Sequence, residues 1–210
     1  MVLNVTVTGP TQPSYLTVYP TGTPRPNASN LNYVAGQTVP NRVIVKVGSN
    51  GTPGWVSFFN AAGSTQVIAD IGGWFSDSSN PAASGSRFVG VTPARILDTR
   101  DGTGGFHAPI GPGGTIAATV AGVGGVPAMN ATVAPSAVVL NVTVTDTTGQ
   151  SYLTVWPDGA TRPNASDLNW VPGLTVPNLV VVKVGSTGKI DLFNPLGSTN
   201  VIIDVVGWYG

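Results

Sequence analysis

The sequence contains one long segment twice. The motif LNVTVT occurs at residues 3–8 and again at residues 140–145. From there the two copies run in register, so that SYLTVYPTGTPRPNAS, which begins at Ser14, corresponds to SYLTVWPDGATRPNAS, which begins at Ser151. A repeat of this length indicates two copies of one structural module. It constrains the fold more than any other feature of the chain.

The two copies differ in extent. Residues 87–139 precede the second copy without a break, and no such sequence precedes the first copy. We therefore predict a partial first module at 1–75, a linker at 76–86 and a complete second module at 87–210, so that the first copy lacks its front half. Two explanations stay open: the chain belongs to a longer tandem array, or another chain supplies the missing strands to an open sheet edge.

The composition favours β-structure. All nine acidic residues are Asp, and residues that favour helices, such as Glu, Lys and Met, are absent or scarce, whereas Val, Thr, Gly, Pro and Asn are abundant. In the first copy, Leu3, Val5 and Val7 alternate with polar residues, which is the period of a strand with one buried face. We predict an all-β fold of tandem antiparallel β-sandwich modules, jelly-roll-like in type.

Two further strand predictions concern neighbours in the sheets. Residues 66–75 are apolar on both faces, which predicts a strand at the centre of its sheet. The Asn50-Gly51 pair favours a tight turn, so residues 56–60 are predicted to form a hairpin with the strand at 42–47.

Charge and cysteine content argue against several classes of function. The net charge is zero and only 9% of residues are charged, so no basic surface is expected to attract nucleic acid or anionic lipid. Apolar runs are too short for a membrane-spanning helix, and we expect no membrane insertion. The absence of cysteine excludes disulfides and zinc–thiolate sites. No cofactor is predicted.

A longer series of motifs connects the chain to a known kind of protein. PARILDTRDGTGG, VVLNVTVT, SYLTVWPDG, RPNASDLNW, TVPNLVVVKVG and STNVIIDVVGWY resemble repeat modules of secreted, cell-surface proteins of actinobacteria and similar bacteria. The second copy shows this pattern in full and the first copy only its later half. The resemblance implies a β architecture and an extracellular or cell-surface location, and it implies no defined activity.

One aspartate lies within the most apolar strand of each copy. Asp70 and Asp204 share this position, and a buried carboxylate needs a partner or a proton. The arginine that both copies hold in register is Arg25, which corresponds to Arg162. We therefore predict the structural ion pairs Asp70–Arg25 and Asp204–Arg162.

The LDTRDGTGG stretch and the single histidine are the remaining polar candidates. Asp98 and Asp101 flank Arg100 before a glycine-rich loop. This pattern is a weak signal for a calcium site, and the preferred interpretation is a salt-bridged strand end. The spacing does not fit an EF-hand loop. His107 has no G-x-S-x-G motif to accompany it, so nucleophilic catalysis is not expected. We predict that the protein is not an enzyme.

Aromatic residues are the best lead to a ligand. Six of them occupy corresponding positions in the two copies and would suit a stacking platform for sugar rings, although core packing is the commoner role of such residues. They are Tyr15, Tyr19, Tyr33, Tyr152, Trp156 and Trp170.

The preferred function is therefore a structural one. We predict a surface protein that associates end to end with copies of itself into an array or filament. The alternative is a carbohydrate-binding module attached to cell-wall polysaccharide. Burial separates the two, because a glycan platform requires at least two neighbouring aromatic side chains of one copy to be exposed.

Overall fold

Alternating apolar residues, broken by Gly and Pro turns, form strands throughout both copies. The computed structural model describes residues 1–49, 53–75 and 85–210, and within these ranges it contains β-strands and no helix. The chain divides into two compact units, Met1–Ala83 and Ser84–Gly210. The linker predicted at 76–86 lies mostly outside the described residues.

Unit 1, Met1–Ala83, contains two three-stranded antiparallel sheets. Their strand orders are β4-β1-β6 and β3-β2-β5. The strands are β1 (Val2–Thr8), β2 (Ser14–Pro20), β3 (Leu31–Tyr33), β4 (Val39–Ile44), β5 (Val56–Asn60) and β6 (Gln66–Gly73).

Unit 2, Ser84–Gly210, contains two four-stranded antiparallel sheets. Their strand orders are β12-β9-β14-β7 and β11-β10-β13-β8. The strands are β7 (Phe88–Asp98), β8 (Gly114–Thr119), β9 (Ala137–Thr145), β10 (Ser151–Pro157), β11 (Leu168–Trp170), β12 (Val176–Lys183), β13 (Lys189–Asn194) and β14 (Asn200–Tyr209).

The repeat in sequence is a repeat in topology. Strands β1 to β6 correspond in order and pairing to β9 to β14. In unit 2, β7 lies beside β14 at one edge of its sheet, and β8 lies beside β13 at one edge of the other sheet. No strand of the described residues takes their places in unit 1, where β6 and β5 are the outermost strands instead. The predicted all-β fold of antiparallel sheets is confirmed.

Each unit buries apolar side chains between its sheets, as sandwich packing requires. In unit 1 the buried cluster is built from β1 to β4 and includes Leu3, Leu16 and Val43. In unit 2 the cluster also takes residues from β7, β8, β13 and β14, among them Leu97 and Ile203. The larger core of unit 2 is therefore the direct result of its two additional strands.

Two predictions about neighbouring strands need correction. Strand β4 pairs with β1 and β5 pairs with β2, so β4 and β5 lie in different sheets and form no hairpin. The turn at 50–52 lies outside the described residues. The apolar strand is central in unit 2, where β14 lies between β9 and β7. Its counterpart β6 is an outer strand, because the described residues of unit 1 contain no counterpart of β7.

Candidate functional site: the open edge of unit 1

Strand β6 has nearly the same apolar sequence as β14 but a very different environment. Val67, Ile71 and Trp74 are 38%, 68% and 73% exposed. Their counterparts Val201, Val205 and Trp208 in unit 2 are 0%, 0% and 9% exposed. The sequence of β6 therefore suits a buried strand, whereas its surroundings leave it at the surface.

The neighbouring strand β5 shows the same contrast. Phe58 is exposed on β5, and its counterpart Leu192 on β13 is fully buried. The pairings of Ile71 with Leu3 and of Phe58 with Val18 place both exposed side chains on the core-facing sides of their sheets. We call the exposed apolar side chains of these two strands and of the residue that follows β6 the open edge, and they are Phe58, Val67, Ile68, Ile71 and Trp74. Ile68 lies opposite Thr6 and therefore on the outer face of β6.

In unit 2 a continuous segment covers the corresponding surface. We call residues 85–126 the front-half segment, because they contain β7, β8 and the loops that follow these strands. The segment contributes apolar residues to the core of unit 2. These residues are Ile96, Leu97, Ile110, Ala118, Val120 and Val126.

A charged row crosses the outer face of the larger sheet of unit 2. Asn141 of β9 lies opposite Asp204 of β14, which lies opposite Arg95 of β7. The Arg95 guanidinium donates from Nε to Asp204 Oδ1 at 3.0 Å and from Nη2 to Asp204 Oδ2 at 3.3 Å. This two-point contact fixes the register of β7 on β14.

Asp98 closes the same network at the end of β7. It accepts hydrogen bonds from Arg95 Nη1 at 3.1 Å, Arg100 Nη2 at 2.7 Å and Arg100 Nε at 2.9 Å. The bonds from Arg100 are the main reason that the pKa of this carboxyl is lowered to about 2. The carboxylate is buried and charged, as the alternative of a salt-bridged strand end requires.

The metal alternative has no comparable support. Asp101 Oδ1 accepts a hydrogen bond from the Thr103 backbone N–H at 2.9 Å, and this bond lowers the pKa of the Asp101 carboxyl. Among the described residues, no cluster of three His, Asp or Glu side chains suits a metal ion. The Asp98 oxygens are directed at two guanidinium groups.

Unit 1 carries the same row with a different cation. Asp70 of β6 lies opposite Asn4 of β1, and Asn4 lies opposite Arg42 of β4. Partial burial raises the pKa of Asp70, and the positive charge of Arg42 acts in the opposite direction. Leu179 occupies the position of Arg42 in unit 2. The cation that faces the aspartate therefore comes from opposite edges of the sheet in the two units, from β4 in unit 1 and from β7 in unit 2.

A glycine makes room for Arg42. A Cβ atom on Gly72 would lie 2.6 Å from Arg42 Nη1, so the guanidinium lies directly over this residue of β6. The counterpart of Gly72 in unit 2 is Val206. The exchanges of Leu for Arg and of Val for Gly between the copies are therefore coupled.

The predicted pairs Asp70–Arg25 and Asp204–Arg162 are wrong. The guanidinium carbons of Arg25 and Arg162 each lie 3.7 Å from the centre of an aromatic ring, that of Phe59 and that of Phe193 respectively. These rings belong to β5 and β13, in the sheets that do not contain the aspartates. Arg25 and Arg162 therefore stack on aromatic rings, in cation–π geometry, and do not pair with the aspartates.

The predicted aromatic platform is not assembled in unit 2. Tyr152 is exposed, but Trp156 and Trp170 are buried, and Trp156 Nε1 donates to the Ala160 carbonyl at 3.0 Å. In unit 1, Tyr33 is buried and its hydroxyl donates to Asn60. The remaining two, Tyr15 and Tyr19, are half-buried on β2.

A buried asparagine joins the front-half segment to the second sheet of unit 2. Asn194 Nδ2 donates to the carbonyls of Ile110 and Gly197 at 2.9 and 3.1 Å, and its Oδ1 accepts from Ser151. The equivalent Asn60 of unit 1 keeps the bond from Ser14 and the bond to Gly63. The contact that Asn194 makes with Ile110 has no counterpart in the described part of unit 1, because no front-half segment lies there.

Sequence reasoning missed Arg95 and Arg42. The ion-pair prediction considered only cations at corresponding positions of the two copies. Arg95 lies outside the repeat, and Arg42 corresponds to Leu179 in the second copy. The useful signal was the closeness of Arg95 to Asp98 in the PARILDTR motif, whereas no pattern in the sequence places β7 beside Asp204. His107 is exposed in the loop after β7.

Comparisons with known proteins add no relative. The chain matches no family model and no curated protein. Among the described residues, no helix is long and apolar enough to cross a membrane.

Proposed function

We propose that this protein is a non-enzymatic structural module of the cell surface or extracellular space, which associates end to end with chains of its own kind. The observation that carries this proposal is the open edge of unit 1. Its five side chains have buried counterparts in unit 2. The resemblance of the motif series to secreted surface modules supports the location.

The energetic argument follows from the exposed apolar area. Burial of one large apolar side chain contributes about 1.5–3 kcal/mol, so covering several residues of the open edge offers a substantial driving force for association. Strand β6 also ends its sheet within the described residues, and its outer backbone groups suit pairing with a further strand. Natural soluble monomers rarely leave such an edge flat and apolar.

The alternative of a carbohydrate-binding module has less support. Of the three candidate aromatics of unit 2, Trp156 and Trp170 are buried in the sandwich. A sugar ring needs an accessible aromatic face for stacking, and Tyr152 alone offers one in this set.

Light scattering over a dilution series, with negative-stain imaging of the same samples, tests the proposal. We expect the molar mass to rise with concentration and regular assemblies to appear. Ile71→Lys places a charge in the open edge and should keep the chain monomeric. The matched control is Leu196→Lys, at an exposed apolar position in unit 2, and it should behave as the unmodified chain. A monomer at every concentration, or equal assembly of both variants, would overturn the proposal.

A further inference from the structure

The two units give an internal comparison of an empty and a filled edge. In unit 2 the front-half segment adds β7 to β14 and β8 to β13, and thereby completes both sheets. In unit 1 the equivalent strands β6 and β5 carry corresponding residues without such a segment. Unit 2 thus shows what an occupant of the open edge must look like.

We propose that the open edge of unit 1 binds a front-half segment from a neighbouring module of the same type, whose arginine at the position of Arg95 bonds to Asp70. The inference rests on the proposed function in one respect, that the open edge is a contact surface. It goes further because it names the bound segment, a front-half segment, and the residue that bonds its arginine, Asp70.

Shape is the first argument for this occupant. The core-facing side chains of β6 and β5 are Val67, Ala69, Ile71 and Phe58, all at least partly accessible. Their counterparts on β14 and β13 contact the apolar residues of the front-half segment within one core. A single added strand would cover only one sheet, whereas the two-stranded segment covers both.

Charge is the second argument, and it excludes the simplest competitor. Pairing of β6 with β6 of a second copy about a two-fold axis would bring two Asp70 carboxylates close together near the middle of the strand, which is unfavourable. An antiparallel β7-type strand in the register of unit 2 instead places an arginine opposite Asp70. The partial burial that raises the pKa of Asp70 makes a further cation there favourable.

The pairing of the front-half segment limits which module can donate it. Within the described residues, the front-half segment of this chain already pairs with β14 and β13 of unit 2. In an assembly of identical copies, the segment of one chain must leave its own unit 2 before it fills the open edge of the next chain. The donor is therefore a module whose front-half segment is not engaged by its own strands, and a peptide with this sequence reproduces it.

The test is a binding titration with the full chain. A fluorescently labelled peptide of residues 85–126 is titrated with the protein, and anisotropy reports binding. We expect saturable binding, which Asp70→Asn in the protein weakens about threefold to tenfold, as does Arg95→Gln in the peptide. The two changes together should weaken binding no more than either alone, because they remove the same contact.

The matched control locates the peptide. Asp204→Asn alters the equivalent residue of unit 2, whose edge is occupied, and should leave the affinity unchanged. Hydrogen exchange should show new protection in β6 and β5 when peptide is bound. Greater sensitivity to Asp204→Asn than to Asp70→Asn, or protection confined to unit 2, would show exchange into unit 2 and overturn the inference, as would absence of binding.

The assembly and peptide-binding experiments together distinguish failure of this inference from failure of the proposed function. If the unmodified chain assembles and Ile71→Lys prevents assembly, but the peptide does not bind, the proposed function stands and the named occupant is wrong. If the peptide binds in an Asp70-dependent manner while the chain stays monomeric, the occupant stands and end-to-end association between copies is wrong.

Discussion

Arg95 of β7 bonds Asp204 of β14 through two nitrogens, across 109 positions of sequence. This contact fastens the outermost strand of unit 2 to the apolar strand at the centre of the sheet. In unit 1 the charged neighbour of the equivalent Asp70 is Arg42 of β4 instead, and this is the clearest chemical difference between the two copies.

The Arg95–Asp204 pair should contribute modestly to the stability of unit 2. Its side chains are 43% and 26% exposed, so solvent screens the attraction. We expect a coupling of about 0.5–1 kcal/mol from a double-mutant cycle of Arg95→Gln and Asp204→Asn, measured by urea unfolding. Lys183→Gln, at an exposed position of β12, serves as the control and should change stability by less. Strict additivity of the two substitutions would contradict the pair.

Asp98 should make unit 2 sensitive to acid. Its pKa is lowered to about 2 in the folded protein, below the ordinary value of 3.8. Its stabilising effect is therefore complete above about pH 4 and is lost as the pH falls through about 2. Asp98→Asn should destabilise the protein by about 1–3 kcal/mol at pH 7, because two arginines lose a buried acceptor.

The difference between the original and the Asp98→Asn protein should shrink towards pH 2, where Asp98 is itself protonated. Urea unfolding at a series of pH values measures this. Asp101→Asn is the control in the same loop, and its effect should be small because Asp101 is exposed. A constant difference from pH 7 to pH 2 would contradict the assignment.

Asn194 should matter more than its counterpart Asn60. Asn194 is fully buried. It donates to the carbonyls of Ile110, Gly111 and Gly197 and accepts from the Ser151 hydroxyl, and Ile110 and Gly111 belong to the front-half segment. Asn194→Ala should cost about 2–3 kcal/mol in unfolding free energy, since several buried groups lose their partner. Asn60→Ala should cost about 1 kcal/mol, because its site is open to water. Equal costs would argue against a difference in burial between these two sites.

Arg42 and Gly72 should behave as a coupled pair. Gly72→Val adds a side chain where the Arg42 guanidinium lies, and should displace it. Because Arg42 lowers the pKa of Asp70, both Gly72→Val and Arg42→Leu should raise that pKa further, and the double substitution should raise it no more than Arg42→Leu alone.

Carbon-13 NMR titration of the Asp70 carboxyl measures these pKa changes. Val206→Gly in unit 2, where the facing residue is Leu179, is the matched control and should leave the Asp70 titration unchanged. An Asp70 pKa that does not respond to Arg42→Leu would contradict the proposed role of Arg42.

The sequence by itself determined the module and its repetition. The repeat of LNVTVT and its neighbours defined corresponding strands, and period-two alternation in β1 identified the core-facing residues Leu3, Val5 and Val7 correctly. These conclusions depend on local chemistry and on comparison of two copies, both of which are visible in a single chain.

Only the tertiary structure decided which residues meet. Alternation tells which face a side chain occupies but not which strand lies beside it. The Asn50-Gly51 turn signal wrongly predicted a hairpin of β4 and β5, and the cation shared in register by the two copies wrongly predicted a pair of Asp204 with Arg162. In the fold, β4 and β5 lie in different sheets, and the cation beside Asp204 comes from β7, a strand outside the repeat. The same limit applies to burial. Ile71 and Val205 occupy equivalent positions of the repeat, but Ile71 is exposed and Val205 is buried, because the front-half segment covers only Val205.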